Sequence, residues 1–337
     1  MAAPGALNSL ADVAGLSVGC AGDERVLTGV TVIVPDERAV CGVDVRGGGP
    51  GTRETDALAP ENLVDAIDAL VLSGGSVYGL AAADGVVAEM GAAGRGFGLV
   101  DLPGVPRSPV VPAAILYDLA NGGDKAWGDG PPYAALGRSA YAARARAVPL
   151  GNAGAGLGAK AGALKGGQGS ASIVGADGVT VAALACVNCW GSPTMPNNRA
   201  FWAHPFEIGA EFGAVKPSAD ARFDAEDWGG AKFNAAPRAN TTIACVATDV
   251  ALTPAEAKRV AQMASAGFAR AIRPVFAPFD GDVVFALSTA CKTPAEPRAL
   301  SIARIGALAA DCLARAVARG VYEARSVGAH QAWRDLP

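Results

Sequence analysis

Short apolar stretches separated by turn residues open the chain. Val26 to Val34 is apolar and β-branched and Ala39 to Val45 alternates, so both read as strands ahead of Arg46-Gly47-Gly48-Gly49-Pro50-Gly51. That glycine run is either a plain turn or a backbone-lined site wall. Pro60-Glu61-Asn62 predicts a short helix to about Leu70, with proline at a tolerated first-turn position. Val71 to Gly79 reads as a strand and glycine turn feeding a helix to roughly Met90. Pro112 to Leu119 is strand-like, Tyr133 to Ala147 is a small-residue helix, and Gly151 to Ser172 is glycine-dense. Ser172 to Val174 and Val179 to Val187 pair as a hairpin about Asp177-Gly178. From about Pro193 to Arg238 the pattern turns polar, with Asn197, Asn198, Asp220, Asp224, Glu226 and Asp227, and predicts a long exposed connection; such loops are often functional.

The pattern then switches abruptly. Arg238-Ala239-Asn240-Thr241-Thr242-Ile243-Ala244-Cys245-Val246-Ala247-Thr248-Asp249 places Thr241 as the first residue of a buried strand entered from the polar run. Thr253-Pro254-Ala255-Glu256 fits a capping box and starts an amphipathic helix to about Ile272. Phe279 to Leu287 reads as a strand with Asp280 and Asp282 at its head, two residues apart and so on one side. An alanine- and leucine-rich helix from about Arg298 to Ala324 closes the pattern.

Composition narrows the class. Of the 337 residues 51% are hydrophobic and 18% charged, which is a globular chain with a sizeable core. A net charge of −4 with scattered Lys and Arg provides no basic stripe, so nucleic acid is excluded as a main partner. No apolar run reaches the ~18 residues that span a bilayer, and Met1 to Gly15 lacks the layout of a signal peptide; the expectation is a cytoplasmic protein with no membrane partner. The seven cysteines have no framework spacing, and Cys20, Cys41, Cys245, Cys291 and Cys312 sit in contexts typical of buried free thiols. Cys186 and Cys189 form a C-x-x-C, but in a strand they point to opposite faces and no histidine or second pair completes a zinc set. Only two histidines exist, His204 and His330, so acid-base chemistry must rest on another group.

Several positions then become chemical candidates, each with a plainer reading beside it. A threonine heading a core strand is a catalyst if the preceding bond is cut, because its freed α-amine serves as base for its own hydroxyl; otherwise Asn240-Thr241 is a loop-to-strand junction. Asn188, at the edge of its strand, either caps a turn or aims its NH2 at a developing oxyanion. Tyr117 is a half-buried core tyrosine or a phenol reaching a site. Lys160 and Lys165, the two charges of the glycine-dense run, either reach water or a polar cavity. Two close carboxylates such as Asp280 and Asp282 raise a pKa unless a cation, for which a free threonine ammonium would serve, lies between them. Ser73-Gly74-Gly75 lacks the G-x-G-x-x-G pattern and a Walker lysine, which favours close helix-sheet packing over a nucleotide cradle.

In order along the chain, the segments KGGQGSAS, VNCWG, ANTTIACVATDVALTP and FDGDVVFALSTA resemble the DmpA-type self-processing amidohydrolases. That family includes the L-aminopeptidase/D-esterases, the β-peptidyl aminopeptidases and the 6-aminohexanoate-oligomer hydrolases, and the likeness spans almost the whole chain. It implies an α+β fold, a four-layer αββα sandwich of the N-terminal-nucleophile-hydrolase kind, forming a single domain, 1–337. It also implies self-cleavage at Asn240-Thr241 into an α fragment, 1–240, and a β fragment, 241–337, with Thr241 as nucleophile, as in the nylon-oligomer branch. The family's asparagine falls on Asn188, its acidic pair on Asp280 and Asp282, and its tyrosine on Tyr117. Its lysine falls on Lys160, with Lys165 as the rival. The resemblance implies small peptide or amide substrates, no metal or organic cofactor, and a homo-oligomer, a tetramer of αβ units. Acyl transfer of the ornithine acetyltransferase kind and an unprocessed binding protein are the alternatives.

Overall fold

The computed structural model describes residues 2–98, 100, 102–222, 224–232 and 240–336. Arg238 and Ala239, which open the junction motif, and the end of the preceding polar connection lie outside the described residues. In chain order the strands are β1 (Leu16–Asp23), β2 (Thr28–Pro35), β3 (Val40–Val45), β4 (Thr52–Arg53), β5 (Leu70–Ser73), β6 (Ala113–Ile115), β7 (Lys160–Ala161), β8 (Leu164–Lys165), β9 (Gly167–Val174), β10 (Thr180–Asn188), β11 (Thr241–Val250) and β12 (Val283–Lys292). The α-helices are α1 (Ala82–Ala92), α2 (Tyr133–Ala142), α3 (Pro254–Ala264), α4 (Ala266–Ala271) and α5 (Arg298–Tyr322).

Two five-stranded sheets stack face to face, one ordered β1-β2-β5-β6-β4 and the other β3-β12-β11-β10-β9. Their facing sides share a core in which Ile33 and Leu72 of the first meet Leu184, Ile243, Cys245 and Phe285 of the second. Helices α1 and α2 cover the outer face of the first sheet through Val86, Met90 and Ala140. Helices α3, α4 and α5 cover the second through Val260, Phe268, Leu313 and Val317. The four-layer αββα sandwich expected from the sequence is therefore the observed architecture. Because both faces of β11 are covered, its pattern is an unbroken apolar run: Ile243 and Cys245 look to the inner core, Ala244 and Val246 to the helices.

Close approach of α5 explains several small residues. A Cβ on Gly169 of β9 would lie 1.9 Å from the Ala316 carbonyl oxygen, so helix and strand meet backbone to backbone there. The same helix supplies Arg315, fully buried, which donates to both Glu211 oxygens and to the carbonyl of Ser172. This ties the 193–232 connection to the sandwich. That connection is less exposed than its polarity implied: Phe201 and Phe212 are buried against one another and Phe201 stacks on Trp333.

Other differences from expectation have local causes. No helix forms over 60–70, because Ile67 exchanges backbone hydrogen bonds with Ala39 and Asp68 donates to Val110, drawing the segment out flat. The helix after Thr253 keeps its capping box but breaks at Ser265, whose hydroxyl donates to Ala261 O and, at 2.5 Å, to Asp44. Helix α2 ends at Ala142, and β12 starts only at Val283, past both aspartates. Cys186 and Cys189 do enter opposite cores, whereas Cys291 is exposed and Cys20 only half-buried, contrary to the expectation for those two.

Gly169→Ala is therefore expected to destabilise the protein by roughly 3 kcal/mol or to prevent folding, since the new methyl group meets backbone that cannot yield. Chemical denaturation beside the wild type reads the difference, and an unchanged midpoint contradicts the contact.

Candidate active site

The site forms where β10 ends and β11 begins. These strands are antiparallel with Asn188 directly opposite Thr241, so the register that pairs Leu184 with Cys245 in the core also brings these two polar residues together. Thr241 is 2% exposed and Asn240 fully buried. The Thr241 hydroxyl donates to the Asn240 carbonyl oxygen, the peptide group immediately before it. Both polar atoms of the Asn240 side chain, the Thr242 hydroxyl and Asp280 Oδ1 are buried without a hydrogen-bond partner among the described residues. Buried polar atoms of this kind each cost about 1–3 kcal/mol, so the junction is held in place by its surroundings, at a local cost in free energy.

Asp280 and Asp282 line the other side of the junction. Asn240 bridges in parallel to Asp280, Asp282 Oδ1 accepts the Thr242 N–H at 2.7 Å, and Asp282 Oδ2 accepts the Phe276 N–H at 3.3 Å. Burial pushes both carboxyls above their ordinary value, and the neighbouring Asp280 adds to the effect on Asp282. Desolvation is thus a larger cause than the mutual repulsion expected from their spacing. The glycine run after β3 is the site wall: Gly49 donates to Asp280 O and Gly47 to Asp282 O. Between the aspartates, a Cβ on Gly281 would stand 2.6 Å from the Thr241 hydroxyl oxygen, so only glycine leaves that hydroxyl its room.

A cleft of about 610 Å3 opens beside the junction, lined among others by Tyr117, Asp118, Lys160, Asn188, Lys232 and His330. Asn188 Oδ1 accepts the Lys160 backbone N–H at 2.9 Å, and its Nδ2 donates to the Tyr117 carbonyl at 3.0 Å. Tyr117 itself lies past the end of β6 and is half-buried on the cleft wall. The structure separates the two candidate lysines. Lys160 lines the cleft, whereas Lys165 is buried behind it with its ammonium on Gly156 O and Gly166 O, and burial lowers it to about 7.

Lys232 is the residue that sequence reasoning missed. Its ammonium donates to Asn188 O at 3.0 Å and reaches Asn188 Oδ1 at 3.4 Å. The available signal was its setting after Gly229-Gly230-Ala231, the same small-residue context that singled out Lys160. The Ser73-Gly74-Gly75 turn is a cradle after all, but for a side chain. Asp118 Oδ1 accepts the Gly75 N–H at 2.8 Å while Oδ2 accepts the Thr28 hydroxyl at 2.6 Å.

Comparison with known proteins follows the same lines. A model of peptidase family S58 matches residues 8–333. An uncharacterized aminopeptidase of Mycobacterium bovis is 44% identical, over 98% of this chain and 98% of its own. A 6-aminohexanoate-oligomer endohydrolase of Kocuria sp. is 30% identical over 82% of this chain and 74% of its own. Among solved structures, a Burkholderia sp. beta-aminopeptidase aligns with a TM-score of 0.72 and 22% identity, over 98% of this chain and 91% of that one. The L-aminopeptidase D-Ala-esterase/amidase of Ochrobactrum anthropi, described as a variant of the Ntn hydrolase fold, gives 0.70 and 23% over 97% and 89%. At that identity these two structures bear on fold alone.

Burial raises Asp118 from 3.8 to about 6. The folded chain therefore holds this proton more tightly than the unfolded chain. The group costs stability above about pH 6, and the cost fades as pH falls from 6 towards 3.8. Asp118→Asn preserves both contacts, since its oxygen accepts from Gly75 and its NH2 donates to the Thr28 hydroxyl. The melting temperature of Asp118→Asn relative to wild type is expected to be higher at pH 7.5 than at pH 4.5; a pH-independent difference counts against the buried charge.

Proposed function

The chain belongs to peptidase family S58, and from that premise we propose that this hydrolase of amide bonds activates itself by cutting Asn240-Thr241, with Thr241 as nucleophile. The observation that supports this is the Thr241 hydroxyl resting on the carbonyl of the bond to be cut, at the head of a buried central strand. In self-cleavage, Thr241 Oγ bonds to the Asn240 carbonyl carbon, the C–N bond breaks and the hydroxyl proton passes to the departing nitrogen. Water then opens the ester, leaving an Asn240 carboxylate, a restored hydroxyl and a free Thr241 α-amine.

That amine has a reference pKa of ~7.7 to 8.0, so a neutral fraction exists near neutral pH. It takes the hydroxyl proton as Thr241 attacks a substrate amide and passes it to the leaving amine, work that elsewhere falls to histidine. Asn188 NH2 donates to the oxyanion, Asp280 and Asp282 hold the amine and hydroxyl, and Lys160 with Tyr117 completes the polar wall of the cleft. Substrates are small peptides or ω-amino-acid oligomers, in keeping with the names of the aminopeptidase and oligomer-hydrolase relatives. The fragments 1–240 and 241–337 stay joined through β10 and β11, whose ladder does not depend on the cut bond.

Intact mass under denaturing conditions tests the cleavage directly. Wild type is expected as two fragments meeting between Asn240 and Thr241, and Thr241→Ala as one chain; a wild type that stays whole on prolonged incubation overturns the reading. In processed enzyme, Asn188→Ala should lower kcat roughly 10²- to 10³-fold, the usual effect of losing an oxyanion donor. Lys160→Met should likewise reduce turnover, whereas Lys165→Met should lower the melting temperature with kcat/KM kept. The reverse pattern would assign the site lysine to Lys165.

A further inference from the structure

Asn188 is useful as an oxyanion donor only if its carboxamide is held one way round. Its oxygen faces two donors, the Lys160 backbone N–H and the Lys232 ammonium, while its nitrogen faces the Tyr117 carbonyl. An amide flipped by 180° would set NH2 against both donors and oxygen against a carbonyl, so these partners settle the orientation. One N–H of Asn188 is spent on Tyr117, which leaves the other for the reaction.

Of these partners, Lys232 is the one whose contact is made by a side chain and is therefore removable. It also grips the Asn188 backbone carbonyl, on the residue paired with Thr241. The charged and titratable groups that face it come from every element around it. They are Asp280 and Asp282 before β12, Cys189 after β10, Lys160 of β7, and His330 of the C-terminal segment. Lys232 therefore feels both the Lys160 charge and the two buried carboxyls, at a junction where, before cleavage, no threonine ammonium exists.

We propose that Lys232 is a positioning residue for both reactions of this site. It locks the Asn188 carboxamide with its NH2 towards the reacting carbonyl, and it supplies the positive charge beside Asp280 and Asp282 until self-cleavage releases the Thr241 ammonium. The proposal rests on the self-processing reading given above. After cleavage, Lys232 remains as a like charge near the new amine and favours the neutral, basic form. Its place shortly before the cut makes it part of the N-terminal fragment, so that fragment contributes to the active site through its tail as well as through Asn188.

The test compares wild type, Lys232→Met, Lys232→Arg and Thr241→Ala, each freshly purified. Self-cleavage is followed by intact mass, steady-state kinetics by an amide substrate, and folding by thermal melting. Lys232→Met is expected to process about tenfold or more slowly. Once processed, it should show kcat reduced roughly ten- to hundredfold with KM little changed, the scale of a mispositioned catalytic group. The acid limb of its kcat/KM profile should move to higher pH, because the amine has lost a neighbouring cation. Lys232→Arg should recover part of the rate and return the limb. Wild-type processing, kcat and pH limb in Lys232→Met would overturn the proposal. So would equal losses in Met and Arg that merely track a lowered melting temperature, since that is a structural prop. A wild type that never cleaves, like Thr241→Ala, defeats the self-processing reading instead, so the two failures are separate.

Discussion

The Asn240-Thr241 peptide is buried at the head of a central strand, and most of the surrounding structure is explained by what that burial requires. A strand can hold a polar residue at zero exposure only if its neighbours are fixed on both sides and on both faces. β10 fixes one side through the Asn188-Thr241 pairing, and the turn ahead of β12 fixes the other through Asp280 and Asp282. The inner core and the α3–α5 layer close the two faces. The small residues follow from the same demand. Gly47 and Gly281 let backbone approach the junction where a Cβ would intrude.

Charge at the site is arranged asymmetrically. Two carboxyls sit on the buried side of Thr241, raised by desolvation, and the cleft side carries Lys160, Lys232 and His330 against a single Asp118 that is already engaged with Thr28 and Gly75. On the proposed self-cleavage, the new ammonium would be drawn towards the carboxyls and pressed by the lysines towards its neutral form. A group that must act as a base near neutral pH needs both influences: the carboxyls hold it in place, and the cations keep its proton labile. Histidine is sparse in the chain, His204 and His330 being the only two.

How much of this could be read in the sequence depended on whether a residue's environment is local. The sandwich was legible through the family resemblance, while the apolar run of β11 and the capping box of α3 marked single elements only. That Asn188, Thr241, Asp280 and Asp282 lie together follows from strand ends the sequence marks, where an apolar run meets a polar residue. The helix expected from Pro60-Glu61-Asn62 to about Leu70 failed because Ile67 gains two backbone bonds to Ala39 by lying extended. No window of sequence contains that partner. The 193–232 connection was misjudged for a related reason. Its apolar anchors, Phe201 and Phe212, are too far apart to form a period, and the arginine that organises it, Arg315, lies on a distant helix.

Lys160, Lys165 and Lys232 make the same point within the site. All three are lysines among glycine and alanine, and nothing local separates a catalytic wall residue from a buried strut or a clamp. What separates them is which backbone groups the fold brings to each ammonium or amide. Gly156 O and Gly166 O take Lys165 out of play, Asn188 Oδ1 claims the Lys160 backbone, and Asn188 O claims the Lys232 ammonium. Two of the three therefore converge on a single asparagine, and that residue stands opposite Thr241. A glycine-rich setting accompanies this, for Gly158, Gly229 and Gly230 line the same cleft as the two lysines and bring no side chain to it.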